Sequence, residues 1–401
     1  MQKESWRKKV AVFLISQSVS IFGSSIVGYA IVWYITLETS SSFMLTISIL
    51  CTYLPQTFIS ILSGVLADRY NRKFLIILGD AITAITTLIV FILFTLGTPS
   101  FIAIFVSCIL RSIGAGIQNP VQNAFLPSLC PKEKLPRANS LSSTLNSAIQ
   151  LLSPGIGGLC LATLGFTITL LVDVITAIIA IILLINIKSG QQPNNKKVSF
   201  IKLPYFISKD FKEGVSYIRK HRVLGKMIMF YLLFYFFMAV PGFLTPILVE
   251  RSFGNDVWKL TANETFWSLG TLSGGIIIFF WGGFRNRLKT MTLSAALFGF
   301  NIFLLGMVSN FYVYLFVMVL SGIFLPIFTT SNTLLIQESV QDDLLGRVFS
   351  NIQILSSFAM PAGIILFGPL GDIISIESLL KITGLCIFVV SYLIYRVDRK
   401  T

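Results

Sequence analysis

Gly64-Val65-Leu66-Ala67-Asp68-Arg69-Tyr70-Asn71-Arg72-Lys73 sets one acid and three bases in ten residues, between apolar runs at 43–66 and 74–96. Each run is long enough for a helix to cross a hydrocarbon core, which takes roughly 20 residues. The stretch therefore reads as a charged turn holding two membrane spans to one side of a bilayer. The whole chain is built this way. Of 401 residues, 54% are hydrophobic and 12% charged, and the mean hydropathy is +0.82. A soluble domain carries about 25% charged residues. That composition excludes a soluble enzyme, a disordered chain and a disulfide scaffold.

Further apolar runs fall at 10–37, 99–121, 138–164, 166–187, 223–249, 261–283, 290–309, 311–335, 348–371 and 377–395, which makes twelve. The expected fold is an all-α membrane protein of twelve transmembrane helices in two six-helix halves. The N-terminal half is 1–187, a cytoplasmic linker is 188–222, and the C-terminal half is 223–401. Gly97-Thr98-Pro99 and Ser309-Asn310 are turn signals too short for any domain outside the membrane. With the N-terminus inside, 27 of the 31 lysines and arginines fall on inner segments. The positive-inside rule then puts both termini in the cytoplasm. The first run, Val10 to Leu37, is too long for a cleavable signal.

The five cysteines are scattered through apolar runs and read as small buried hydrophobes. His221, the single histidine, sits in a basic loop and makes no metal site alone. No cofactor, metal or nucleic acid is expected. The net charge of +14 lies where an anionic inner leaflet would meet it.

The halves echo each other: Arg137-Ala138-Asn139-Ser140 precedes span 5, and Arg347-Val348-Phe349-Ser350 precedes span 11. Such symmetry marks transporters built from repeats, with a site at the repeat interface.

The Gly64–Lys73 turn resembles the G-x-L-a-D-R-x-x-R-K loop of the major facilitator superfamily. Gly64 lets two helices approach, and Asp68 can pair with arginine or meet a helix N-terminus. With Arg69, Arg72 and Lys73 they are expected to form a conformational latch; a plain topogenic turn is the alternative. A second copy, Gly282-Gly283-Phe284-Arg285-Asn286-Arg287-Leu288-Lys289, has no acid. Leu152-Ser153-Pro154-Gly155-Ile156-Gly157-Gly158 in span 5 resembles the G-P-x-x-G-G stretch of the superfamily's drug/proton antiporters, with Ser153 replacing the first glycine. Pro154 permits a bend, while Gly157 and Gly158 allow tight packing, which is also the bland reading of the motif.

Arg111 in span 4 resembles the antiporters' span 4 arginine ahead of a glycine pair, with the glycines one residue early. An arginine in mid-bilayer costs at least about 2.5 kcal/mol and needs a partner or a cavity. It lies about 15 Å, and Asp80 in span 3 about 9 Å, from the cytoplasmic side, so those two are expected to pair. Asp173 in span 6, about 10 Å from the outer end, has no expected cation at its depth and is the first candidate to carry a proton. Hydrogen bonding to the backbone or to a neighbouring threonine is the alternative. Glu38, Glu250 and Glu264 are expected near outer span ends, in solvent. Tyr231, Tyr235 and Met238 share one face of span 7. By the resemblance, spans 1, 4, 7 and 10 line the cavity, so these residues, with Gln17, Gln118 and Asn119, are expected to meet the substrate.

Taken over the whole chain, the sequence is most similar to the superfamily's macrolide-efflux branch. That resemblance implies a monomer in a bacterial plasma membrane, among membrane lipids, exporting small lipophilic drugs in exchange for protons. An ATP-driven pump is disfavoured, since Gly225-Lys226-Met227 does not complete a phosphate-binding loop. A permease of the same fold for another lipophilic metabolite or lipid is the rival. A membrane scaffold or receptor has no need of Arg111, Asp80 and Asp173 inside the bilayer.

Overall fold

The computed structural model describes residues 2–187, 222–340 and 342–398, with no strand among them. The helices are α1 (Gln2–Thr39), α2 (Ser42–Arg69), α3 (Arg72–Thr95), α4 (Phe101–Phe125), α5 (Leu135–Ile185), α6 (Arg222–Phe243), α7 (Thr245–Phe253), α8 (Val257–Trp281), α9 (Arg287–Leu305), α10 (Phe311–Ser339), α11 (Asp342–Leu370) and α12 (Ile376–Asp398). The expected linker 188–222 lies outside the described residues apart from its last position.

Two expected runs, 138–164 and 166–187, are the two limbs of α5. The chain breaks between them at Gly165, where φ is 76° and ψ 169°, a conformation that glycine adopts without steric cost. Conversely, the run 223–249 is divided at Leu244 into α6 and α7, with Pro241 and Pro246 on either side. Ten described stretches are long and apolar enough to cross a membrane, and one of them, Lys132–Ile185, holds both limbs of α5. The helix α8, which carries Asn263 and Glu264 as well as several Ser, Thr and Gly residues, is not among those ten. Adding α8 gives twelve spans.

Turn chemistry sets the helix starts. The side-chain oxygens of Asn71, Asn286 and Asn310 accept from the first amides of α3, α9 and α10, satisfying donors that a helix leaves open. Outward-facing apolar residues stay bare: Phe280 is 82% exposed and Phe279 80%. Lipid is the solvent that suits such a surface. Helices in lipid gain little from apolar burial alone, so small residues carry the close contacts. A β-carbon on Gly79 of α3 would lie 2.9 Å from the Gly114 carbonyl oxygen of α4, and one on Gly114 2.8 Å from that of Gly79.

The contacts divide into two compact units. The first holds Met1–Thr39, Ile47–Lys196 and Asp256–Thr261; the second holds Ser40–Thr46, Lys197–Asn255 and Ala262–Thr401.

Candidate functional site

Three helices of the first unit each present two polar residues one or two turns apart. They are Ser20 and Ser24 on α1, Asp80 and Thr87 on α3, and Arg111 and Gln118 on α4. Spacings of four and seven keep each pair on one helix face. Since α3 and α4 pack antiparallel, the equal spacing places Asp80 level with Gln118 and Thr87 level with Arg111. The result is a ladder with two rungs about 10 Å apart along α3.

On one rung, Asp80 is 1% exposed. Its Oδ1 accepts from the Ser20 hydroxyl at 2.5 Å and the Gln118 amide at 2.7 Å. Its Oδ2 is buried without a hydrogen-bond partner. Gln17 extends the network: its Oε1 accepts from Gln118 at 3.3 Å and from Gln122, and its Nε2 donates to the Ser16 hydroxyl. Asp80 takes part in none of the ion pairs among the described residues.

On the other rung, Arg111 pairs with Asp173 from the second limb of α5. Asp173 also accepts from the Ser24 hydroxyl at 2.7 Å and the Thr87 hydroxyl at 2.8 Å. Arg111 donates in addition to Thr87 and to the Ser24 carbonyl oxygen.

These contacts correct the expected pairing. Arg111 meets Asp173 rather than Asp80, and Asp173 has a cation beside it. Depths measured at the backbone misplaced the guanidinium, because the long arginine side chain carries its charge well away from its own Cα. Ser20, Ser24, Thr87 and Gln122 are site residues that sequence reasoning missed. The matched spacing of seven on α3 and α4 was the available signal.

Arg111, Gln118, Asn119, Ser24 and Tyr29 line a cavity of about 510 Å³ within the first unit, in the size range of small-molecule sites. Gln17, expected in the cavity, instead lies behind Gln118. Tyr231 and Tyr235 do share a face, with ring centroids 4.8 Å apart; they and Met238 belong to the second unit.

Around the charged turn, α2 continues to Arg69, and the side chains of Gly64, Asp68 and Arg69 lie outside the described residues. Arg72 donates to the carbonyl oxygens of Ala67 and of Ala124 near the end of α4. Lys73 donates to those of Ile185 and Ile187 at the end of α5. Both cations therefore sit on the negative ends of helix dipoles. In the second copy, Arg287 meets Glu338 of α10 at 3.1 Å, so an acid absent from the motif comes from elsewhere in the chain. In α5, Pro154, Gly157 and Gly158 are buried, and the helix keeps its regular geometry through Pro154. Gly157 would place a β-carbon 3.4 Å from the Ile26 carbonyl oxygen of α1.

Of the three glutamates expected in solvent, Glu38 is exposed, but Glu250 and Glu264 are half-buried. Glu250 accepts from the Ser40 hydroxyl at 2.7 Å, and Glu264 accepts from the Asn263 amide at 3.1 Å. Beside Glu250, the Arg251 guanidinium pairs with Asp372 at 2.6 Å and donates to the carbonyl oxygens of Ser40 and Gly371. Asp372 also accepts the amides of Ser42 and Phe43 and the Ser41 hydroxyl. Burial raises the Asp372 carboxyl, but these amides, Arg251 and Ser41 outweigh it and hold it below its ordinary value.

Residues 13–364 match the family model of the Major Facilitator Superfamily. Macrolide efflux protein A of Streptococcus pyogenes is 27% identical over 404 residues, covering 98% of each chain. The staphyloferrin A transporter of Staphylococcus aureus is 26% identical over 400 residues, covering 97% of this chain and 96% of that protein. A bacterial homologue of the iron transporter ferroportin, in an inward-facing crystal structure, superposes with a TM-score of 0.72 at 16% identity, covering 98% of this chain and 99% of that one. A transporter of the POT family in complex with 5-aminolevulinic acid gives 0.73 at 13%, covering 98% and 96%.

Proposed function

The chain belongs to the Major Facilitator Superfamily, and on that premise we propose that this membrane transporter exports lipophilic, macrolide-like drugs in exchange for protons. It does so by alternating access in a bacterial plasma membrane, with both termini cytoplasmic. The observation that carries this reading is Asp80, an acid in the protein interior with an unpartnered oxygen, one rung from a buried ion pair that borders a cavity.

A proton on Asp80 Oδ2 removes an uncompensated charge from the interior, where charge is expensive. Gln118 links the two events, because it donates to Asp80 and also lines the cavity. Drug in the cavity and proton on Asp80 then favour opposite states, and each shifts the balance by its differential affinity. Asp173 holds Arg111 at the cavity wall and is the second acid able to take part. Gly64, Asp68, Arg69, Arg72 and Lys73 act as the latch of one state, and Pro154, Gly157 and Gly158 form the pliable contact of α5.

A second reading, export of another metabolite, draws support from the relative named for staphyloferrin A and from the fixed cation Arg111 at the cavity. Drug accumulation in cells with and without the protein, with an uncoupler control, separates the readings. Lower macrolide accumulation that the uncoupler abolishes supports drug export. Unchanged accumulation across a macrolide panel refutes it.

A further inference from the structure

We propose that Gly28 on α1 is a specificity-determining residue. Lacking a side chain, it leaves a recess in the cavity wall that admits the bulkiest part of the exported molecule; this rests on the export reading above. Glycine inside a helix is destabilising relative to alanine, and two reasons commonly account for it. One is a left-handed backbone, but Gly28 is helical and is not among the positive-φ glycines. The other is a close approach between helices. Gly23, on the same helix, has that reason, since a β-carbon there would collide with Thr176 of α5. A β-carbon on Gly28 would meet no atom of a neighbouring helix within 4 Å. Gly28 lines the cavity instead.

The position of the recess ties it to the site. Ile21, Ser25, Gly28 and Val32 line the cavity together, and their helical spacing sets them on one stripe of α1. Gly28 is the gap in that stripe. The Ser24 carbonyl oxygen, toward which the Gly28 amide points in an α-helix, also accepts from Arg111 Nη2 at 3.1 Å. The gap therefore opens within one helical turn, about 5 Å, of the point where Arg111 is anchored. A side chain at Gly28 would take volume from the cavity there and leave the helix contacts untouched. A local rule broken without a packing gain is expected at functional sites. Here the helix gives up stability, and the gain is room beside the buried ion pair, which a small cargo would not need.

The test uses full-length protein in proteoliposomes, with erythromycin as the bulky probe and chloramphenicol as the small one. Gly28→Leu is expected to lower kcat/KM for erythromycin about tenfold or more beyond its effect on chloramphenicol, the size of discrimination that a methylene at a fitted wall produces. Gly28→Ala should act in the same direction to a smaller degree while raising the melting temperature by about 1–3 °C. A packing role would not lower transport and raise stability in one variant. Equal losses for both probes, or none, overturn the proposal, as does a lower melting temperature for Gly28→Ala. Failure of Gly28→Leu to insert would show the position to be packed and overturn it too. A second arm does not depend on export. In solubilised protein, Gly28→Cys should be modified by a neutral methanethiosulfonate, read by mass spectrometry, whereas Ala30→Cys, at a fully buried position, should not. Gly28→Cys modified no faster than Ala30→Cys means that no recess exists. Wild-type protein that exports neither probe uphill counts against the export reading, and the labelling arm then decides the recess by itself.

Discussion

Arg111 and Asp173 form an ion pair inside the first unit, with side chains 11% and 1% exposed. Removing one partner strands the other charge in the interior at a cost of about 3–5 kcal/mol. Arg111→Gln and Asp173→Asn should therefore each lower the thermal stability of the purified protein sharply, and the double variant should be more stable than either. Losses that simply add would show that the pair is not coupled.

Gly114 brings α4 onto α3 one residue from Asp80. A β-carbon there would lie 2.8 Å from the Gly79 carbonyl oxygen and 2.8 Å from the Thr83 hydroxyl. Gly114→Val should cost about 1–3 kcal/mol through overpacking and push Gln118 away from Asp80. Gly155, with nothing near its β-position, provides the control. Equal melting temperatures for Gly114→Val and Gly155→Val would contradict the close-contact account.

Asp372 carries a pH dependence whose sign is set by its depressed carboxyl. A group whose folded-state value is below its unfolded value contributes stability above the unfolded value and loses it as pH falls through the folded one. The Arg251–Asp372 contribution should thus be intact at neutral pH and fade below the ordinary aspartate value of 3.8. In thermal unfolding followed from pH 7 downward, wild type should exceed Asp372→Asn at neutral pH and converge on it in acid. A difference that persists unchanged in acid would refute the assignment.

The fold was legible because lipid-facing helices need long apolar runs, and the charged turns between them show in composition alone. Boundaries were less legible where backbone conformation decides them: the split at Gly165 falls between the runs 138–164 and 166–187, but the break at Leu244 lies inside the continuous run 223–249. At the site, the right ionisable residues stood out because charge is rare inside a bilayer. Their partners did not. Pairing depends on how far a side chain reaches and on the register of antiparallel helices, and the hydroxyls of Ser20, Ser24 and Thr87 resemble those of any small packing residue. Glu264 was misplaced for a related reason, since nearness to a span end does not reveal which helix covers it.

The Gly64–Lys73 turn offers a separate check on the transport cycle. Asp68→Asn should impair uphill export while leaving membrane insertion normal, because the acid is expected to hold one state by charge-assisted bonds. Normal export at normal expression would make the turn a topogenic element only.

The most direct test is substrate-driven proton movement in proteoliposomes carrying wild type or Asp80→Asn. With an imposed pH gradient, wild type should accumulate a macrolide uphill and move protons in the opposite direction. Asp80→Asn, a permanent mimic of the protonated acid, should retain drug binding and downhill equilibration but lose both uphill accumulation and proton movement. Uphill accumulation by Asp80→Asn at the wild-type rate, with proton movement intact, would contradict the assignment of the proton to Asp80.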